Sequence, residues 1–251
     1  MLGITFDNTT KLDRIVEFLD TFEERVTVRL ICDRAQDGFT WHQLVKPCKE
    51  ISKRADILIT ICDSIYFKDH SARTYELRTR NALDQYGQWA KYFEIGNEIG
   101  GDWLGEEETV QRKVDIAGRL VKKAGKKRVV TWYYQDNQPQ QIIHYMRNYP
   151  NEADYHLVSW YPFWYHTGLS VNWDNIFSQI VGLNPEAKVG FGEFGVEPKK
   201  LPDSVIVNLI KHVYAVKVGL PNFIGGYFYW NGYKAALHPY SDVADALRGK
   251  R

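Results

Sequence analysis

The sequence has few cysteines and few methionines. Its 251 residues contain only three cysteines, at positions 32, 48 and 62, and two methionines. Three cysteines cannot all pair with one another, and these lack the close pair spacing of a metal site, so the sequence predicts no disulfide framework. One bridge between Cys32 and Cys62 stays open, because each is expected to end one of two neighbouring strands.

An excess of charge of one sign is also missing. Lys and Arg total 32 and Asp and Glu total 31, for a net charge of +1. No overall field therefore draws the protein to nucleic acid or to an anionic membrane. No apolar run reaches the length of a membrane span, and the first predicted strand starts almost at Met1, which leaves no room for a signal peptide. We expect a cytoplasmic protein or one whose leader has been removed.

Several motifs that would indicate a cofactor or a second domain are absent. The seven histidines include no His-x-x-x-His pair, and no Gly-x-Gly-x-x-Gly turn follows the first predicted strand. No Pro/Ser-rich linker, charge run or low-complexity stretch interrupts the chain. The sequence therefore predicts one domain over residues 1–251, with no metal and no cofactor, and it leaves the oligomeric state open.

Aromatic residues, by contrast, are plentiful. The chain has 8 Trp, 16 Tyr and 12 Phe, which together make up 14% of its residues. Core packing explains most single rings. Many of these rings, however, fall in predicted strand-to-helix connections, and core packing does not readily explain a cluster at one end of the fold.

A strand followed by an amphipathic helix recurs eight times along the chain. The predicted strands cover residues 2–6, 26–31, 57–62, 92–96, 128–133, 156–160, 188–191 and 224–230. Alternating strands and helices with short connections require a parallel sheet, and eight such units close it. The sequence thus predicts the α/β class and a single (β/α)8 TIM barrel with short loops, rather than an open doubly wound sheet.

Two of these strands deliver a glutamate at their carboxyl end. Glu98 ends the segment Phe93 to Glu98, and Glu193 lies in the segment Val189 to Gly195. Reacting groups of (β/α)8 barrels lie where the strands end, so the two carboxyls are expected to face each other across one mouth. A single strand-end acid is often only solvated or ion-paired, but an opposed pair suits cleavage of a glycosidic bond.

The segments around these glutamates carry a resemblance. The Gly-Asn-Glu triplet ending at Glu98 and the Gly-Glu-Phe-Gly segment around Glu193 resemble motifs of clan A of the glycoside hydrolases, the retaining (β/α)8 enzymes. The segment 159–164 is also similar to the endo-galactanase family of that clan. By this resemblance Glu98 is the acid/base and Glu193 the nucleophile of a double displacement, with carboxyl groups about 5–5.5 Å apart.

Four further positions match the clan pattern. Arg29 resembles the arginine that points into the barrel and keeps the nucleophile ionised. The resemblance implies that Asn97 hydrogen-bonds the sugar 2-hydroxyl and that Tyr161 hydrogen-bonds the nucleophile. Trp230 matches the tryptophan that forms the floor of the subsite where the bond breaks. The chain departs from the pattern after strand five, where Trp132-Tyr133-Tyr134 replaces an expected histidine, and this leaves the sub-family open.

For other aromatic and acidic residues the sequence predicts less specific roles. Trp103 and Trp164 are expected to be aromatic platforms at outer subsites. Glu94 is expected to point away from Glu98 and not to react, and Glu197 is a fallback nucleophile. Four strand-end aspartates either contact hydroxyl groups or cap the following segment, namely Asp7, Asp33, Asp63 and Asp136.

The sequence thus predicts a retaining glycoside hydrolase, an endo-acting β-glycanase whose partner is an oligo- or polysaccharide. Internal cleavage is expected because short loops favour an open groove. The alternatives are a catalytically silent carbohydrate-binding barrel, or an exo-acting β-glycosidase or transglycosylase of the same clan. A barrel of aldolase chemistry is disfavoured because no predicted strand ends in lysine. The sugar and its linkage stay open.

Overall fold

Eight parallel strands close into a barrel in which each strand pairs with the next and the last pairs with the first. A computed structural model describes residues 1–32, 41–135, 138, 140–148, 152–162, 170–196 and 201–249. The strands are β1 (Leu2–Phe6), β2 (Thr27–Ile31), β3 (Asp56–Thr60), β4 (Ala90–Ile99), β5 (Lys127–Tyr133), β6 (Tyr155–Trp160), β7 (Lys188–Phe194) and β8 (Gly226–Tyr229). The predicted (β/α)8 barrel is confirmed.

Helices follow the strands around the outside of the barrel. They are α1 (Leu12–Leu19), α2 (Val45–Ile51), α3 (Ala72–Tyr86), α4 (Glu107–Lys123), α5 (Gln141–Asn148), α6 (Trp173–Leu183), α7 (Asp203–Ala215), α8 (Gly232–Leu237) and α9 (Asp242–Leu247). In α4 the first turn is acidic and the last turn basic, which suits the helix dipole, and Gly125 follows it at a φ of 69°. Within the described residues, no helix combines the length and the apolar character needed to cross a bilayer.

Most predicted strand boundaries differ from the observed ones by one to three residues, and three of these differences lie at the site or in β8. β4 continues to Ile99 rather than to residue 96, because its pairing with β5 shifts register twice and the chain stays in the sheet. β7 likewise extends to Phe194. β8 starts at Gly226 rather than at residue 224, and Gly225, just before it, has a φ of 76°, in the left-handed region that regular strand residues do not adopt. Gly226, with a φ of 85°, opens the strand, so only one of the two glycines in the predicted strand lies inside it.

The barrel interior has an apolar lower layer and a polar upper layer. The lower layer is a separate cluster of buried side chains, formed by Leu58, Tyr92, Val129, Leu157 and Phe228. Side chains two residues further along a strand share the same face, one layer closer to the carboxyl ends. Those positions carry Thr60, Glu94, Thr131 and Ser159, all of them buried. The polar layer thus lies directly beneath the barrel mouth.

Close packing of this interior depends on a glycine in β7. A Cβ atom added at Gly192 would lie 2.6 Å from Leu157 Cβ and 2.7 Å from Thr131 Oγ1. Both separations are far below van der Waals contact, so a larger residue would push β7 outward or displace both layers. The absent side chain at position 192 leaves this space to the neighbouring strands.

The three cysteines are buried thiols, and none of them forms a disulfide. The bridge between Cys32 and Cys62 that the sequence left open is therefore not made. Burial raises the pKa of the Cys48 thiol to about 12, which keeps this side chain protonated and unreactive.

Candidate active site

Glu98 lies in a distorted part of β4 at the barrel mouth. The pairing of β4 with β5 shifts register on both sides of Gly96, and Glu98 has a φ of 51°, in the left-handed region that non-glycine residues rarely adopt. Bulges of this kind turn a side chain out of its regular direction. Its carboxyl group accepts hydrogen bonds from the Ser64 hydroxyl at Oε2 and the Ser159 hydroxyl at Oε1, both at 2.7 Å.

Glu193 lies in β7 and is almost fully buried. Arg29 Nη1 donates a hydrogen bond to its Oε2, and the Tyr161 hydroxyl donates one to its Oε1. Arg29 comes from β2 and Tyr161 directly follows β6, so donors from two other parts of the barrel converge on this carboxyl group. The positions predicted for Arg29 and Tyr161, next to Glu193, agree with these contacts.

Glu94 corrects one sequence-based expectation. Its side chain was expected to point away from Glu98, but it lies inside the barrel, 1% exposed. Glu94 lies two residues after Tyr92 of the lower layer, before the pairing with β5 shifts register, so its interior direction follows from the period of two. Glu94 Oε2 accepts from Arg29 Nη2 at 2.8 Å and from Arg29 Nε at 3.0 Å. The hydroxyls of Thr60 and Thr131 donate to the same carboxylate.

The guanidinium of Arg29 is therefore divided between two buried carboxylates. Burial opposes its charge, but Glu94 and Glu193 together raise the pKa of Arg29. This side chain is a permanent cation beneath the mouth. It also lies 5.5 Å from the centroid of the Trp230 ring, within the range of a cation–π interaction.

The two candidate catalytic carboxyls have different electrostatic surroundings. Burial raises the pKa of Glu193, while the Arg29 cation lowers it and the Glu98 charge raises it. Part of Glu98 faces the cavity, yet the burial of its surroundings raises its pKa too, against the Ser159 and Ser64 hydrogen bonds. The pair titrates together, and Arg29 contacts only Glu193 of the two. Direct contact with this cation favours the charged form of Glu193, and Glu98 has no such contact.

A cavity of about 310 Å³ opens above these groups. Its lining residues are Asp63, Ser64, Ile65, Asn97, Glu98, Trp103, Tyr133, Tyr161, Glu193 and Trp230. The rings of Trp103 and Tyr133 meet edge to face at 4.7 Å. The cavity thus combines three acidic groups with aromatic walls, as sugar-binding sites do.

Asn97 presents an unused donor to this cavity. Its Oδ1 accepts a hydrogen bond from the Ser64 backbone N–H at 2.9 Å, which fixes the amide. Its Nδ2 is buried and has no acceptor among the described residues. Buried donors without an acceptor are uncommon in folded proteins, and one that lines a cavity suits a ligand oxygen.

The cavity brings together most of the residues predicted from the sequence. Glu98, Glu193, Asn97, Trp103, Tyr161 and Trp230 line it, and Arg29 lies beneath it. Asp63 also lines the cavity, and its side chain accepts a hydrogen bond from the Ile65 N–H at 3.2 Å. Four of the other candidates lie outside the described residues, namely Asp33, Asp136, Trp164 and Glu197.

The sequence reasoning missed two serines that hold Glu98 and the partner of Arg29. Ser159 lies in β6, two positions before Tyr161, so the period of two of a strand could have indicated that both side chains face the site. Glu94 could have been found by the same rule. Ser64 has no such signal, because it belongs to the 3-10 helix Ser64–Asp69 that follows β3.

No group of three or more His, Cys, Asp and Glu residues in the described ranges is arranged to hold a metal ion. The barrel mouth instead contains carboxyl, hydroxyl, amide and aromatic groups around one buried cation. These groups can transfer a proton, present a carboxylate to an electrophilic carbon and bind a neutral polyhydroxylated ligand.

Comparison with known proteins shows likeness in fold. The sequence matches no protein-family model and no curated protein. Among solved structures, the xylanase XynB from Paenibacillus barcinonensis superposes with a TM-score of 0.62 at 9% identity, over 100% of this chain and 96% of that one. A glycoside hydrolase family 128 exo-β-1,3-glucanase from Aureobasidium namibiae has a TM-score of 0.53 at 11% identity, over 91% and 82%.

A third similar structure is the Gas2 protein of Saccharomyces cerevisiae in complex with laminaritetraose and laminaripentaose. It has a TM-score of 0.55 at 14% identity, and the match covers 91% of this chain but 55% of Gas2. This chain therefore spans little more than half the length of that protein. At these identities the comparisons establish the architecture alone: this chain shares the (β/α)8 fold with these proteins.

Proposed function

We propose that this protein is a retaining glycoside hydrolase, an endo-acting β-glycanase that cleaves an oligo- or polysaccharide. The observation that carries the proposal is the pair of carboxyls in one aromatic cavity with different partners. Glu193 is in contact with a cation and a phenol hydroxyl, and Glu98 with two serine hydroxyls. A double displacement needs this division into one ionised and one protonated group.

In the first step, a Glu193 oxygen forms a bond to the anomeric carbon as the bond from that carbon to the glycosidic oxygen breaks. Glu98 transfers its proton to the departing oxygen and becomes a carboxylate. Arg29 and the Tyr161 hydroxyl hold Glu193 in the ionised form before it attacks. The product of this step is a covalent glycosyl-enzyme.

In the second step, Glu98 accepts a proton from a water molecule whose oxygen attacks the same carbon. The ester bond to Glu193 breaks, and Glu193 leaves as a carboxylate. Two inversions give overall retention of configuration. The free Asn97 Nδ2 donor suits the sugar 2-hydroxyl, a contact that strengthens as charge develops on the ring.

Carbohydrate as the ligand class is supported by the cavity and by the similar structures. Trp230 and Trp103 offer ring faces and edges to sugar C–H groups. The Gas2 structure holds laminaritetraose and laminaripentaose in a barrel of similar architecture. A neutral β-linked glycan is therefore the first substrate class to test.

The test is a screen of soluble β-linked polysaccharides for new reducing ends, followed by NMR of the first-formed anomer. We expect the wild type to release a retained product, and Glu193→Gln to lose activity on every substrate. Glu98→Gln should lose about 10²–10⁴-fold on the polymer but far less on an aryl glycoside whose leaving group needs no proton. Glu186→Gln, an exposed site just before β7, is the matched control.

Equal activity of Glu193→Gln and wild type would disprove the nucleophile assignment, and an inverted first product would disprove the retaining mechanism. A glycan that binds without being cleaved by any form would favour the silent carbohydrate-binding barrel.

A further inference from the structure

A buried lysine outside the cavity has no place in the mechanism described above. Lys113, in α4, is 1% exposed. Its ammonium donates a hydrogen bond to the Phe67 carbonyl oxygen at 2.8 Å and lies 4.7 Å from the centroid of the Phe67 ring. It makes no salt bridge with any carboxylate in the part of the chain that the structure describes.

The burial of this cation is unfavourable for the stability of the barrel. Burial lowers the pKa of Lys113, while the nearby Cys62 and Asp69 raise it. Removing an ammonium from water costs free energy that one carbonyl and one ring face recover only in part, whereas an apolar side chain of similar length would fill the space without that cost. A role for the hydrogen bond of Lys113 in positioning its neighbours would account for a lysine rather than an apolar residue here.

The contact made by Lys113 leads to the candidate acid/base through a short helix. Phe67 belongs to the 3-10 helix Ser64–Asp69, and the first residue of that helix is the serine that contacts the site. The Ser64 hydroxyl donates to Glu98, and the Ser64 N–H donates to the Asn97 amide oxygen. One buried residue thus orients two neighbouring cavity side chains.

The same helix is attached to β4 by a second route. The Phe67 ring packs 4.9 Å from the Tyr75 ring of α3, and the Tyr75 hydroxyl donates to the Ile95 carbonyl oxygen at 2.9 Å. The 3-10 helix is therefore held from two sides. Lys113 of α4 contacts it on one side, and Tyr75 of α3, which is hydrogen-bonded to β4, contacts it on the other.

We propose that Lys113 is a positioning residue for the acid/base. It holds the Ser64–Asp69 helix in place, and so keeps the Ser64 hydroxyl on Glu98 and the Ser64 N–H on Asn97. The assignment of Glu98 as acid/base comes from the proposed function, but the link from Lys113 through Ser64 to Glu98 does not depend on it.

The link predicts a change in the ionisation of Glu98. A hydroxyl that donates to a carboxylate stabilises its charged form, so loss of the Ser64 contact makes Glu98 harder to ionise. The other charged or titratable groups around Glu98 are Asp63, Arg29, Tyr161 and Glu193. Of these, Asp63 caps the Ser64–Asp69 helix and belongs to the link, whereas the other three come from other parts of the barrel. Arg29, Tyr161 and Glu193 keep their own contacts when Lys113 or Ser64 is substituted.

The experiment follows the infrared carbonyl band of protonated Glu98 as a function of pH in the full chain, assigned by its absence in Glu98→Gln. We expect Ser64→Ala and Lys113→Met each to raise the midpoint by about one pH unit. The double variant should shift no further than either single one, because both substitutions remove the same hydrogen bond. Lys123→Met, at an exposed position of α4, should leave the midpoint unchanged.

Two results would overturn the proposal. An additive shift in the double variant would mean that Lys113 acts on Glu98 through its charge rather than through Ser64. An unshifted midpoint in Lys113→Met would mean that the helix keeps its position without the lysine. Where Lys113→Met does not fold, Lys113→Gln serves instead, with a smaller shift in the same direction, and Lys113→Arg should restore the wild-type midpoint.

The infrared midpoint requires no substrate, so it separates this proposal from the proposed function. A Glu98 midpoint that follows Lys113 in a protein that cleaves no glycan would refute the glycosidase and leave the link intact. In an active enzyme, Lys113→Met should also move the alkaline limb of kcat/KM to higher pH, a change that simple loss of stability does not produce.

Discussion

Among single residues, Arg29 and Glu94 carry the electrostatics of the site. The carboxylate of Glu94 receives two hydrogen bonds from the guanidinium and further ones from two threonine hydroxyls. It therefore orients Arg29 toward Glu193 and at the same time neutralises part of its charge. The Glu94 carboxylate therefore weakens the effect of the Arg29 charge on Glu193.

Glu94→Gln tests this sharing of charge. Without the Glu94 carboxylate, the whole Arg29 charge acts on Glu193, so the pKa of Glu193 should fall. We expect the acid limb of kcat/KM to move to lower pH by about one unit. Glu50→Gln, which removes an exposed carboxylate paired with Lys53, is the control. An acid limb that moves to higher pH would contradict the sharing.

Glu98→Gln tests the ionisation of Glu98 through its effect on stability. Burial raises the pKa of Glu98 in the folded protein above its unfolded value, so the carboxyl is neutral in both states at low pH and penalises folding as the pH rises. We expect Glu98→Gln to raise the Tm at about pH 8, with a gain that shrinks toward about pH 4. Scanning calorimetry across this range measures it, and a gain independent of pH would be evidence against a raised pKa.

Among the secondary-structure elements, β4 and β7 show how the barrel aims its carboxyls. β4 has two register shifts and a left-handed residue at Glu98, and β7 carries Gly192 next to Glu193. Unusual backbone conformations are costly and persist where the surrounding structure holds them. The local geometry of these two strands therefore places both acidic side chains at one mouth.

Gly192→Ala should disturb β7 and its neighbours. The added methyl group would overlap Leu157 and Thr131, and overpacking of this kind costs about 1–3 kcal/mol of unfolding free energy. Gly182→Ala is a matched control, because nothing lies within 4 Å of a Cβ there and alanine favours the helix α6. Urea titration of both variants measures the difference. Equal free energies of unfolding for the two variants would show that Leu157 and Thr131 can move to make room for a methyl group at position 192.

For the whole molecule, the two interior layers separate stability from chemistry. The apolar layer fills the lower barrel, and the polar layer with its single cation supports the cavity above. The net charge of +1 gives no long-range attraction for an ionic ligand. Recognition must then come from contacts inside the cavity.

A bound oligosaccharide should stabilise the entire barrel. In the Glu193→Gln background, which prevents turnover, a β-linked oligosaccharide at a hundredfold excess over its Kd should add about 2.7 kcal/mol and raise the Tm by about 6 °C. Laminaritetraose is the first probe, followed by oligosaccharides from any polymer that the wild type cleaves. Adding Trp230→Ala should remove most of this shift, because the ring is part of the cavity wall. A full shift in that double variant would exclude Trp230 from the sugar site.

The sequence alone specifies the architecture and the main candidates of the site. Alternating periods of two and of about 3.6 residues, repeated eight times, were sufficient to predict the closed barrel. Strand-end position was sufficient to predict that Glu98 and Glu193 share one mouth, and the resemblance to clan A correctly placed Arg29 and Tyr161 beside Glu193. These features depend on local pattern and on strand order, which the chain carries along its length.

Only the tertiary structure determines which side chains hydrogen-bond to each carboxyl group. Ser64 and Glu98 are 34 positions apart, and Arg29 and Glu193 are 164 apart. Whether such residues meet depends on strand register, on the two shifts in β4 and on the path of the helix after β3, and none of these is encoded in a short segment. Glu98 therefore acquires its serine donors, and Glu193 its shared cation, only when all eight strands close, because a contact across a barrel exists only in the complete barrel.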